Sequence, residues 1–332
     1  MAFSPWLIFI LSAVIIVFAA NKLAEYGDVI AVRTNLGGLV VGTIFLAAAT
    51  SLPELLTSIS AFQVGAPDLA AGNLFGSNMV NIVLLALIDL VNYQVPLMRR
   101  MAVSHTMTAV LASLLMLLAV IFIIADFPAS IGWVGLDSAV IIAVYFGGMW
   151  LFQQENKLQA GSSPTTVIPV EDGFPTLRSG IIGFLLASLL LVLVVPQLVV
   201  ASTNIATMTG LGDGFFGTTI LSLVTSLPEL LAALAAVRIG AFDLAVGNLF
   251  GSSIFNMLGL GLADFFYTDG RFLGAIDPNF ALVGLLALLL TNMALLANLA
   301  RIERKILFIE LDSLVIIIFY LAGMYMLFLK GG

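Results

Sequence analysis

A chain of 332 residues that is 61% hydrophobic and only 9% charged, with a net charge of −7, stands far from the roughly 25% charged residues of soluble domains. This composition excludes a sizeable soluble domain, and with no basic patch it excludes a nucleic-acid partner. Cysteine is absent, which removes disulfides, thiolate chemistry and any redox inference.

Apolar runs of about 20 residues, long enough to cross about 30 Å of hydrocarbon as helices, recur along the chain. In order they predict ten helices, near residues 5–31, 37–62, 69–92, 101–125, 132–152, 179–206, 214–236, 244–266, 275–299 and 310–329. The first run lacks a basic start and a small-residue cleavage site, so it reads as a retained span rather than a removed leader. The polar segment 153–178, with its Pro, Gly and Ser residues, reads as a linker. It divides the chain into a first five-helix repeat at 1–152 and a second at 179–332. The expected fold class is an all-α membrane protein, with the lipid bilayer as its surroundings.

Basic residues set the orientation. Arg33, Arg99, Arg100, Lys157, Arg178, Arg238, Arg301, Arg304 and Lys305 all fall on one side of this arrangement, against Arg271 and Lys330 on the other. The linker is therefore expected in the cytoplasm and both termini outside. The outer loops carry Asp68, Asp126, Asp213, Asp269 and Asp277, a weakly acidic face suited to cations, although solvated loop charges are the ordinary alternative.

The chain also repeats itself. Residues 42–81 align without a gap on 217–256, an offset of 175, with 23 of 40 positions identical. The same offset pairs Leu136-Asp137-Ser138 with Leu311-Asp312-Ser313. Five spans per half make the second half enter the membrane upside down. Inverted repeats of this kind place a substrate site near the midplane where the halves meet. The alternative is a duplicated structural bundle.

Each half carries Thr-Ser-Leu-Pro-Glu inside an apolar span, at 50–54 and 225–229. A charged residue at such depth costs at least about 2.5–3.5 kcal/mol, and Glu54 and Glu229 incur that cost at equivalent positions. A bound cation would compensate; a protonated, hydrogen-bonded Glu is the plainer reading. Pro53 and Pro228 have no N–H to give the helix, which loosens nearby carbonyls. Thr50 and Ser51 precede Glu54 by four and three residues and share its helix face, as Thr225 and Ser226 do for Glu229. Carboxylates, hydroxyls and carbonyls are the hard oxygen donors that Ca²⁺ takes in sets of six to eight. One His and no Cys argue against a soft transition-metal site.

The following span of each half carries Gly-Asn-Leu-Phe-Gly-Ser. Asn73, Ser77 and Asn81 are spaced by four, and so are Asn248, Ser252 and Asn256, giving a polar stripe expected to face the bundle interior. Gly72, Gly76, Gly247 and Gly251 form small-xxx-small patterns that permit close helix contact.

At these residues the chain resembles the calcium/cation antiporter superfamily, in its Na⁺/Ca²⁺ exchanger branch. The TSLPE and GNLFGS segments look like its alpha-1 and alpha-2 repeats, here 42–81 and 217–256, and the resemblance covers nearly the whole chain. The H⁺/Ca²⁺ branch typically has Gly-Asn-Ala-x-Glu at the acidic position, which this chain lacks. The resemblance implies a secondary antiporter with no cofactor, exchanging Ca²⁺ for Na⁺ by alternating access. It implies that Glu54 and Glu229 ligate the ions, and that Thr50, Thr225, Ser51, Ser226, Ser77 and Ser252 contribute hydroxyls. It further implies backbone oxygens at Ala47 and Ser222, an amide at Asn81, and movement of the first and sixth helices across the other eight. Asn256 stands where some prokaryotic members carry Asp, Ser222 where a small apolar residue is usual, and Ala49 and Val224 where Gly is usual. A prokaryotic inner membrane and function as a monomer are expected. H⁺/Ca²⁺ or other divalent antiport, an intramembrane enzyme using His105, and a channel are the competing readings.

Overall fold

The computed structural model describes residues 3–34, 46–91, 103–160, 175–300, 305–306 and 309–331. Eight helices among the described residues are long and apolar enough to cross a membrane, and a shorter apolar one covers Leu136–Phe152. The helices are α1 (Phe3–Arg33), α2 (Leu52–Gln63), α3 (Pro67–Val91), α4 (Val103–Ala125), α5 (Leu136–Ala160) and α6 (Leu177–Thr209). Then come a composite helix α7 (213–225), α8 (Leu227–Arg238), α9 (Phe242–Ala263), the short α10 (Phe272–Ala275), α11 (Phe280–Ala300) and α12 (Leu311–Gly331). The chain is thus an all-α membrane protein but for two small hairpins.

The first hairpin corrects the expected fifth span. Residues 132–135 are not helical: Ser130–Ile131 pairs with Val134–Gly135 ahead of α5. Lys305–Ile306 pairs with Ile309–Glu310 ahead of α12. The two hairpins are separated by the same 175 residues as the sequence repeat, so the duplication extends to the turns. Helix α5 runs on to Ala160 and α6 begins at Leu177, which shortens the expected linker from both ends; residues 161–174 lie outside the described residues, as do 37–45 of the expected second span. The expected ninth span divides at 276–279, where Pro278 interrupts it.

The layering follows apolar exposure. In α3 and α9, 78% of the spanning window is buried inside the protein, against 33% in α6. The stripe-bearing helices are therefore the centre of the bundle. Helices α1 and α6 lie at its edge, presenting Leu7, Leu11, Val14 and Phe18, and Leu185, Leu189 and Leu193, outward. In water such a surface would aggregate; against acyl chains it is the ordinary boundary. The two edge helices pack antiparallel: Gly180 faces Val29, Gly183 faces the Tyr26 ring, and Arg33 Nε donates to Pro175 O at 2.8 Å.

Helices α3 and α7 approach to backbone contact. A Cβ on Gly72 would lie 2.6 Å from Gly214 O, and one on Gly76 would lie 2.5 Å from Thr218 O. The small-xxx-small reading of Gly72 and Gly76 thus describes a real contact.

Candidate functional site

The site begins with two breaks in the backbone. Ser51 adopts φ −88°, ψ 6° and Ser226 adopts φ −87°, ψ 4°, so both halves leave helical geometry at equivalent residues. A new helix starts one residue later, with Pro53 or Pro228 in its first turn, where a missing N–H is harmless. The prolines therefore start helices rather than kink them. This puts Glu54 and Glu229 in the first turn of α2 and α8, where unpaired amide N–H groups and the helix dipole favour negative charge. The helix before each break ends on carbonyls. Ala47 O accepts from Ser51 N at 2.9 Å and Ser222 O from Ser226 N at 3.0 Å, while Thr50 Oγ1 donates to Ala47 O and Thr225 Oγ1 to Ser222 O. In the second half the approach to the break is a π-helical turn at Gly217–Leu221; its counterpart lies outside the described residues.

Asn73 and Asn248 hold the breaks in place. Asn73 Nδ2 donates to Glu54 O at 3.3 Å, and Asn248 Nδ2 to Glu229 O at 3.4 Å. Their oxygens reach across the halves, where Asn73 Oδ1 accepts from Thr225 Oγ1 at 2.9 Å and Asn248 Oδ1 accepts from Thr50 Oγ1 at 3.4 Å. The sequence placed both residues on the polar stripe but assigned them no part in the ligand set. Their four-residue spacing was the available signal; the carbonyls they grip exist only because the helices break.

The hydroxyls and carboxylates also cross. Ser51 Oγ donates to Glu229 Oε1 at 3.0 Å and Ser226 Oγ to Glu54 Oε1 at 3.4 Å. Ser252 Oγ donates to Glu229 Oε1 at 3.3 Å. Thr50 and Ser252 hydroxyls meet at 3.4 Å, and those of Ser77 and Thr225 at 3.5 Å. The Ser252–Glu229 bond lies within the second half; the three kinds of contact that cross between the halves here, Ser–Glu, Thr–Ser and Asn–Thr, are each matched by their exchange partner. Reciprocity of this kind is the mark of a two-fold relation, as an inverted repeat requires.

Glu54 and Glu229 are each 1% exposed, and Thr50, Thr225, Ser51, Ser226, Ser77 and Ser252 are equally buried. Glu54 Oε2 and Glu229 Oε2 are buried with no hydrogen-bond partner, and among the described residues neither carboxylate meets a basic side chain. A buried carboxylate in that position needs a proton or a cation. The donor set is oxygen throughout, and no group of three His, Cys, Asp or Glu side chains suited to a metal occurs among the described residues. Two carboxylates backed by hydroxyls and carbonyls suit a hard, exchangeable cation as cargo.

Asn81 and Asn256 make no hydrogen bond to the carboxylates or their hydroxyls. They form a further layer, in which Asn81 Nδ2 donates to Ser253 Oγ at 3.4 Å and Asn256 Nδ2 to Asn78 Oδ1 at 3.2 Å. The Ser222 hydroxyl donates to Thr218 O at 2.7 Å and lies over Gly76. On the expected outer side, Asp68, Asp213 and Asp277 line a separate cavity of about 200 Å³.

Comparison with known proteins agrees with this architecture. The chain is 26% identical over 302 residues to the sodium/calcium exchanger MaX1 of Methanosarcina acetivorans, covering 79% of this chain and 83% of that protein. Its fold superposes on an H⁺/Ca²⁺ exchanger CAX with a TM-score of 0.65 at 15% identity, covering 98% of this chain and 88% of the other. It superposes on the sodium-calcium exchanger NCX_Mj with a TM-score of 0.61 at 20% identity, covering 98% and 99%. With both halves, residues 4–153 and 179–329, matching the family model of the sodium/calcium exchanger protein, the chain belongs to that family of membrane cation antiporters.

Proposed function

We propose that the chain exchanges Ca²⁺ for Na⁺ through one central site, with Glu54 and Glu229 as its charged ligands. The observation that carries this reading is the pair of buried, unpartnered carboxylate oxygens, one from each half. The hydroxyls of Thr50, Ser51, Ser77, Thr225, Ser226 and Ser252 and the carbonyls of Ala47 and Ser222 complete the ligand set, and the free Oδ1 atoms of Asn81 and Asn256 flank it.

Two fixed negative charges match one divalent cation or a set of monovalent ones. A site that cannot hold both loads together exchanges them. The empty site leaves its charge uncompensated, which disfavours crossing, so only loaded forms switch access. A ligand moves such an equilibrium only through its different affinity for the two states. The halves, 1–152 and 179–332, are related by a pseudo-two-fold axis and can exchange conformations, so that each in turn opens the site to one side. The clustering of basic residues supports a cytoplasmic linker, outward termini and a prokaryotic plasma membrane, and the closure of the site within one chain supports a working monomer.

The test is uptake of radiolabelled Ca²⁺ into proteoliposomes under imposed Na⁺, K⁺ or pH gradients. An outward Na⁺ gradient is expected to drive uptake, with Glu54→Gln and Glu229→Gln each lowering it at least about 100-fold, which corresponds to about 2.7 kcal/mol, since each removes one of the two ligand charges. The variants are expected to fold and insert normally. Uptake driven by the pH gradient alone would instead establish H⁺/Ca²⁺ exchange, in which protons neutralise the same carboxylates. Wild-type rates in either variant would remove the site assignment.

A further inference from the structure

Beside the carboxylates lies a second polar layer, one helical turn further along α3 and α9. It consists of Asn78 and Asn81 on α3 and of Ser253 and Asn256 on α9, all buried. The offset of 175 pairs Asn78 with Ser253 and Asn81 with Asn256. Neither Asn78 nor Ser253 falls on the four-residue stripe of its own helix; each lies one position to the side.

The hydrogen bonds in this layer are directional. Ser253 Oγ donates its only proton to Leu249 O at 3.0 Å, so toward Asn81 it can only accept. That fixes the Asn81 amide: its Nδ2 faces Ser253 at 3.4 Å, and its Oδ1 is turned away. Across the two-fold relation, Asn78 Oδ1 accepts from Asn256 Nδ2 at 3.2 Å. Both remaining amide oxygens, Asn81 Oδ1 and Asn256 Oδ1, are buried and have no partner. With Glu54 Oε2 and Glu229 Oε2 they make four unpartnered acceptor oxygens, two from each half.

An asparagine beside a cation site has two ends of opposite character, an acceptor that attracts the ion and a donor that repels it. Which end faces the ion depends on what the other end is bonded to. We propose that Asn78 and Ser253 are positioning residues: each fixes the amide supplied by the opposite half with its carbonyl oxygen free for the transported cation. This rests on the central-site reading given above. The two devices differ in chemistry. Ser253 uses its proton within its own helix and offers only lone pairs, whereas Asn78 has a further buried Nδ2 that finds no acceptor. The first half's amide is therefore fixed by an acceptor alone, and the second half's by an amide with a donor to spare. Loss of Asn78 releases Asn256, and loss of Ser253 releases Asn81.

The experiment compares Ser253→Ala, Ser253→Thr and Asn78→Leu with the wild type in two measurements. One is the Ca²⁺ concentration dependence of exchange in proteoliposomes. The other is Ca²⁺-dependent thermal stabilisation of the detergent-solubilised protein, which reports binding without transport because a ligand of the folded state raises stability. Loss of an outer partner of a metal ligand typically costs about 10–100-fold in affinity. Ser253→Ala and Asn78→Leu are each expected to raise the half-saturating Ca²⁺ about tenfold in both measurements. The maximal rate should stay within about twofold, because the carboxylates are intact, and Ser253→Thr should restore wild-type affinity. Unchanged half-saturation in Ser253→Ala and Asn78→Leu overturns the proposal, as does a fall in maximal rate with unchanged affinity. Should Ser253→Ala fail to fold, Asn78→Leu decides alone by the same criteria. Failure of the central-site reading shows separately: Glu54→Gln and Glu229→Gln would then keep wild-type Ca²⁺ stabilisation, whatever the positioning variants do.

Discussion

Asn73 and Asn248 bind two things at once, the carbonyl of the glutamate in their own half and the threonine of the other half. Alanine at either position releases a break and a cross-half contact together. Asn248→Ala is expected to lower the exchange rate at least about tenfold, a loss of about 1.4 kcal/mol, comparable to one net hydrogen bond; initial-rate uptake at saturating Ca²⁺ measures it. Gly76 tests packing rather than polarity. A methyl there would lie 2.5 Å from Thr218 O and 2.8 Å from Ser222 Cβ, so α3 and α7 must separate. Overpacking of this kind costs about 1–3 kcal/mol, and Gly76→Ala is expected to lower the Tm in detergent. Gly147→Ala, whose new methyl would meet nothing within 4 Å, should not lower the Tm, since alanine is the better helix former. At this scale the sequence was informative wherever periodicity alone decides the face, as for Ser77 and Ser252. It was silent on Asn78 and Ser253, because what an off-stripe position touches is decided only by the crossing of α3 with α9.

At the scale of elements, a small set of charges holds the first hairpin. Hairpin 130–135 is tied down by charge: Gly135 N donates to Asp264 Oδ2 at 2.7 Å and Phe272 N to Asp264 Oδ1 at 2.6 Å. Arg271 then bridges Asp126 at 2.6 Å and the fully buried Asp137 carboxylate at 3.0 Å, and also donates to Phe127 O. The exposed Asp126 end contributes little, as solvent screens it, whereas removal of the guanidinium strands Asp137. Breaking a buried pair from one side costs about 3–5 kcal/mol. Arg271→Met is therefore expected to lower the Tm strongly, and adding Asp137→Asn should recover much of the loss. A thermal melt of the single and double variants measures both. The repeat offset made Asp137 and Asp312 visible as a pair, but residues 132–135 of the first hairpin were read as part of a span because the hairpin is short and flanked by apolar residues. The breaks at Ser51 and Ser226 were legible through their prolines, although the prolines begin the next helix rather than bend the previous one.

At the scale of the whole molecule, α1 and α6 form one antiparallel layer against a bundle whose centre is α3 and α9. The glycines of α6 let Tyr26 and Val29 seat directly on its backbone, so the two edge helices are closely fitted to each other. The contact of α1 with the bundle includes Phe9 and Phe216, whose rings meet edge-on with centroids 5.8 Å apart; Phe216 belongs to the helix that leads into the second break. If alternating access moves α1 and α6 together across the rest, a tie within the pair is harmless and a tie from the pair to the bundle is not. The absence of cysteine gives a clean background for this test. Tyr26→Cys with Gly183→Cys, joined by a short bifunctional thiol reagent, is expected to retain exchange. Phe9→Cys with Phe216→Cys, joined by the same reagent, is expected to lose it and to regain it on reduction of a cleavable linker. Packed helices slide by small shear steps while hinges absorb rotation, so equal sensitivity to both ties would mean that α1 and α6 move relative to each other and that the mobile body is smaller than the pair.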